Sequence, residues 1–70
     1  MIKFENPSNG RYYYLQIERD LLNDSILRVN YGGKNIHRNR IIFCGSGNSI
    51  LQEIDRISKR RVKRGYVLVG

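Results

Sequence analysis

Ser46-Gly47-Asn48-Ser49-Ile50-Leu51-Gln52-Glu53-Ile54-Asp55-Arg56-Ile57-Ser58-Lys59-Arg60-Arg61-Val62-Lys63-Arg64-Gly65-Tyr66 is the stretch whose periodicity decides the fold. Ile50, Leu51, Ile54, Ile57 and Ser58 recur at i, i+1, i+4, i+7 and i+8, the spacing of one helix face. Ser46 or Ser49 can cap the start, and Ser49-x-x-Gln52 fits a capping box. Glu53 and Asp55 precede Arg56, Lys59, Arg60, Arg61, Lys63 and Arg64, the order that the helix dipole favours. Gly65 supplies a left-handed stop, after which Tyr66 can fold back onto the last apolar turn. The reading is one amphipathic helix with an apolar stripe and a strongly basic C-terminal half. No other segment has this pattern, so the remaining chain must build the surface on which the stripe lies.

Working outward, the flanking segments read as strands. Residues 11–19, Arg-Tyr-Tyr-Tyr-Leu-Gln-Ile-Glu-Arg, alternate, with Tyr13, Leu15 and Ile17 on one side and Tyr12, Tyr14, Gln16 and Glu18 on the other. Residues 25–31 place Leu27, Val29 and Tyr31 in phase, and Gly32-Gly33-Lys34-Asn35 makes a hairpin-type glycine turn. Residues 36–43 form a third strand, polar and basic at first, then apolar. Residues 66–69, Tyr-Val-Leu-Val, read as a short returning strand. The cluster Asn6-Pro7-Ser8-Asn9-Gly10 makes residues 1–10 a loop or a short edge strand. Residues 20–24 read as a polar turn, with Leu21 and Leu22 tucked beneath it. The architecture is α+β: an antiparallel sheet of about four strands with one amphipathic helix packed across it. Seventy residues make one domain. A core of this size contributes only about 3–5 kcal/mol net.

The charge is unevenly placed. Residues 1–33 balance Lys3, Arg11, Arg19 and Arg28 against Glu5, Glu18, Asp20 and Asp24, whereas residues 34–64 hold nine basic side chains, two acidic ones and so the whole formal charge of +7. That asymmetry points to a face that binds a polyanion. Arg38 and Arg40, two apart on a strand, share one face. Arg60, Lys63 and Arg64, three and four apart, share one side of the helix away from Ile54 and Ile57. With Lys34 they form a continuous patch if the helix crosses the sheet at a suitable angle.

The order of these pieces resembles the WGR domain, a small module named for a Trp-Gly-Arg signature. The resemblance rests on the aromatic strand Arg11-Tyr12-Tyr13-Tyr14-Leu15-Gln16-Ile17 and the acidic-leucine turn Asp20-Leu21-Leu22-Asn23-Asp24. It continues through Tyr31-Gly32-Gly33 at the signature, a basic strand, and a helix opening at Ser46 and closing on Lys59-Arg60-Arg61-Val62-Lys63-Arg64-Gly65-Tyr66. It covers roughly residues 10–66. WGR domains of poly(ADP-ribose) polymerases bind DNA near strand ends, and bacterial WGR proteins include small free-standing modules, which suits a chain beginning at Met1. The signature departs from the family at two positions. Tyr31 stands for the Trp and can still stack on a sugar or base. Gly33 stands for the Arg and has no side chain to make its contact; Lys34 is the candidate replacement charge.

The function expected is therefore nucleic-acid binding, DNA favoured over RNA by the resemblance. The site residues are Tyr31, Lys34, Arg38, Arg40, Lys59, Arg60, Lys63 and Arg64. The alternative is an interaction module whose basic face docks an acidic protein and whose sheet edge pairs with it. Catalysis is not expected: no Ser/His/Asp or Cys/His arrangement and no paired carboxylates have a recognisable spacing. No cofactor is expected, and one Cys with one His is too few for a Cys/His zinc site. His37 reads as a surface or edge residue and Cys44 as a small buried apolar one. A single Cys, no signal-peptide core and no apolar run near 18 residues give a cytoplasmic protein without a membrane span as the default.

Overall fold

The helical spacing is realised as α1 (Gly47–Lys63) in a computed structural model of the chain, which describes residues 1–19 and 24–70. Ser46 is the N-cap. Its backbone is extended, and its Oγ accepts a hydrogen bond from the Ser49 amide at 3.3 Å. Ser49 thus lies inside the first turn, and the capping box expected from Ser49 to Gln52 gives way to the Ser46 cap. At the other end Gly65 adopts φ 90°. The Tyr66 amide reaches back to the Arg61 carbonyl at 3.0 Å and the Gly65 amide to Val62 at 3.1 Å, a Schellman closure. Asn6 Nδ2 donates to the Arg64 carbonyl at 3.4 Å, satisfying another of the orphan acceptors at the helix end.

Ile50, Ile54 and Ile57 are buried on one face of α1. Leu51 corrects the expected stripe. It lies about 100° round the helix from Ile50, on the flank, and is 61% exposed.

The sheet consists of β1 (Ile2–Glu5), β2 (Tyr12–Arg19), β3 (Ser25–Gly32), β4 (His37–Gly45) and β5 (Val67–Leu68), in the order β4-β3-β2-β1-β5. Every pairing is antiparallel. β1 is not a loop or an edge. Phe4 pairs with Tyr13 on one side and Leu68 on the other, so β1 is an inner strand and Phe4 is 2% exposed. The edges are β4 and the short β5. Of the polar turn expected over residues 20–24, with Leu21 and Leu22 beneath it, residues 20–23 lie outside the described residues.

β4 contains a bulge. Arg40 pairs with Val29 and Ile41 with Arg28, but Leu27 pairs with Phe43, leaving Ile42 as the extra residue. The bulge inverts the side-chain parity beyond it. Phe43 turns toward the core, and Cys44 turns outward, exposed, which corrects its expected burial.

α1 packs on β3, β4 and β5 and buries Phe4, Leu15, Leu27, Val29, Ile50, Ile54 and Ile57. Ile17 shares the side of Leu15 but remains 51% exposed near the far end of β2. The helix covers one face of the sheet. Among the described residues no element covers the other, and none forms a helix long and apolar enough to cross a membrane.

Candidate nucleic-acid interface

The β3–β4 hairpin and the end of α1 enclose a cleft of about 600 Å³. Its floor is aromatic. Tyr13 and Tyr31 lie directly opposite each other on β2 and β3, with ring centroids 6.0 Å apart. Strand alternation puts both on the helix side, in phase with Leu15 and Val29, and both pack against the edge of the core. Tyr66, turned back by the helix stop, brings a third ring.

Arg61 stands over this floor. Its guanidinium lies 4.4 Å from the Tyr13 ring centroid and 5.3 Å from that of Tyr66, within cation–π range of both. Its Nε is buried and has no hydrogen-bond partner among the described residues. A buried donor without an acceptor costs free energy.

The hairpin supplies the opposite wall. Gly33 donates its amide to the Ile36 carbonyl at 2.9 Å, closing the turn. A Cβ at Gly32 would lie 1.9 Å from that same carbonyl oxygen, so glycine is a steric requirement there. The tight turn brings Lys34 and Arg38 to the same cleft as Tyr31, and Arg11 adds a further cation from the start of β2. Arg38 pairs with Tyr31 and Arg40 with Val29, so both arginines leave β4 on the helix side, as their spacing predicts.

The electrostatics are one-sided. Arg11, Lys34, Arg38 and Arg61 line the cleft, and no carboxylate among the described residues does. Outside the cleft Arg28 pairs with Glu18 at 3.1 Å, Arg56 with Glu53 at 2.7 Å and Lys59 with Asp55 at 2.9 Å. Arginine forks match phosphate geometry bidentately, and tyrosine rings accept the faces of bases and sugars. The arrangement is chemically suited to an anion attached to a flat ring.

Of the residues expected from sequence, Tyr31, Lys34 and Arg38 meet in the cleft. Arg40, Lys59, Arg60, Lys63 and Arg64 are exposed and lie outside its lining. From α1 it is Arg61 that joins the hairpin. Sequence reasoning passed over Arg61, although Ile50, Ile54, Ile57 and Arg61 continue one i, i+4, i+7, i+11 stripe. That spacing marks Arg61 as the cation on the inner face. Tyr13 read as an ordinary sheet residue, and only its pairing with Tyr31 across β2–β3 reveals the shared floor.

Comparisons with known proteins found no matching family model, no matching curated protein and no matching solved structure.

Proposed function

We infer that this protein is a nucleic-acid-binding module, not an enzyme, and that it binds through the cleft between the β3–β4 hairpin and the end of α1. One observation carries the reading: four cations surround a floor of tyrosines in a cleft that no carboxylate among the described residues lines. The +7 charge of the chain adds long-range attraction for a polyanion. DNA stands ahead of RNA through the WGR-like order of elements, with Tyr31 in the place of the signature Trp and Lys34 and Arg61 carrying the charge that Gly33 lacks. The exposed free thiol of Cys44 suits a reducing compartment, and we assign the module to the cytoplasm.

The test is a salt titration. Wild-type affinity for DNA of arbitrary sequence should fall steeply with salt. The double variant Lys34→Gln/Arg38→Gln should lower the slope of log K against log salt by about 0.7–0.9 for each phosphate no longer neutralised. Arg60→Gln/Arg64→Gln should lower it less, because these side chains lie outside the cleft. An unchanged slope in the hairpin variant would remove the cleft from the reading.

A second reading has its own observation. β4 is a nine-residue strand at the sheet edge, with Arg38, Arg40 and Ile41 exposed. Such an edge can accept an extended acidic peptide as an added strand. Tight binding of an acidic protein, without DNA affinity at low salt, would favour that reading.

A further inference from the structure

The sheet face opposite α1 is not a solvated polar surface throughout. At the hairpin end it carries a row of rings. Tyr14 and Tyr12 on β2 lie with centroids 4.9 Å apart, and His37 on β4 follows at 5.7 Å from Tyr12. Their register places them together: Tyr14 is opposite Lys3 and Asn30, Tyr12 opposite Glu5 and Gly32, and Gly32 opposite His37. Because Gly32 has no side chain, Tyr12 and His37 meet across it. The rings are held at their polar edges. The Tyr12 hydroxyl bonds His37 Nδ1 at 2.6 Å, and the Tyr14 hydroxyl donates to Glu5 at 2.6 Å. The Lys3 ammonium lies 5.5 Å from the Tyr14 ring centroid, so a flexible cation rather than packed core covers that ring.

We propose that this row is a base-stacking platform continuous with the cleft, and that the nucleic acid the protein takes is single-stranded. The proposal rests on the nucleic-acid reading above and names the form of the ligand. Charge divides the labour between the two surfaces. On the open face Lys3 and Arg28 are balanced by Glu5 and Glu18, with Arg28 paired to Glu18. Phosphates therefore gain little there, whereas rings do. On the helix side Arg11, Lys34, Arg38 and Arg61 line the cleft, and none of the carboxylates among the described residues does. Tyr12 lies where the two surfaces meet: the residue borders the cleft, and its ring stands in the row on the open face. A duplex keeps its base faces inside its own stack, so a ring platform offers it nothing. An unpaired strand can leave its phosphates in the cleft, pass over the hairpin tip and lay its bases on Tyr12 and Tyr14. The hydroxyl bonds hold the rings in place before binding, which reduces the side-chain entropy lost on stacking.

The experiment compares full-length wild type with Tyr14→Leu. The probes are a labelled oligothymidylate of about 12 nucleotides, inside the usual site size of sheet-borne single-strand binders, and a duplex of the same length at the same low salt. Tyr14 does not line the cleft, so duplex binding should be unchanged in the variant. Wild type should prefer the single strand, and Tyr14→Leu should weaken single-strand binding by about 5- to 150-fold, the loss of one stacked base. Tyr14→Phe, which keeps the ring and loses only the hydroxyl bond to Glu5, should lose much less affinity than Tyr14→Leu. The chain has five tyrosines and no tryptophan, so single-strand binding to wild type should also quench its intrinsic fluorescence. That preference and quenching are read on wild type and hold whether or not a variant folds. Equal or tighter binding of duplex by wild type, or Tyr14→Leu with unchanged single-strand affinity, overturns the platform while leaving the cleft reading intact. Failure of wild type to bind either probe overturns both.

Discussion

Arg61 holds a position that the helix pattern would give to an apolar side chain. Two tyrosine faces make that position tolerable for a guanidinium, although its buried Nε has no hydrogen-bond partner among the described residues. Tyr14 shows a different use of a polar group. Its hydroxyl is held above the ordinary tyrosine range, first by the hydrogen bond to Glu5, then by partial desolvation and the neighbouring charge of Glu5. A raised native value favours the neutral phenol in the folded state. The stabilisation is therefore complete below the unfolded tyrosine value of about 10 and is lost as pH rises through the raised native value. In Glu5→Gln the Tyr14 ring resonances should titrate at lower pH than in wild type, and the alkaline limb of the stability curve should lose this contribution. Tyr14 ionisation at the same pH in both proteins would show that Glu5 does not hold the hydroxyl. Cys44 teaches a related point about reading residues singly. Its average preference is burial, but the extra residue Ile42 inverts the parity of β4 and turns it outward, and no property of Cys44 itself announces that bulge.

Among the elements, α1 was the most legible. Its cap, stop and stripe act within a few residues of one another, so sequence alone carries them. Strand pairing is set by distant contacts, and there legibility fell. The alternation of Ile2 and Phe4 covers too few residues to announce a strand, yet β1 is held between β2 and β5, the latter more than sixty positions along the chain. The helix also separates two leucine-like positions that the sequence groups together. Ile54 is 9% exposed within the core, whereas Leu51 lies on the flank. In urea denaturation Ile54→Ala should cost about 2–5 kcal/mol, comparable with the whole net stability of a core this small. Leu51→Ala should change stability by no more than about 0.5 kcal/mol. Similar losses in both variants would contradict the way the helix is seated.

At the scale of the molecule, the sheet separates two chemistries. The helix side gathers cations over tyrosines at the hairpin end, and the open side offers rings on a charge-balanced face. The sequence made the excess of charge in residues 34–64 plain, and it placed Tyr31, Lys34 and Arg38 within one local hairpin. It did not reveal which helix cation faces them, because that depends on how α1 crosses the sheet. We propose that nucleic acid binds in the cleft. The most direct test is residue-by-residue amide NMR of the labelled protein titrated with an oligonucleotide at low salt. The largest shifts should fall on Arg11, Tyr13, Tyr31, Lys34, Arg38, Arg61 and Tyr66. Shifts confined to Lys59, Arg60, Lys63 and Arg64, with the hairpin unmoved, would contradict it.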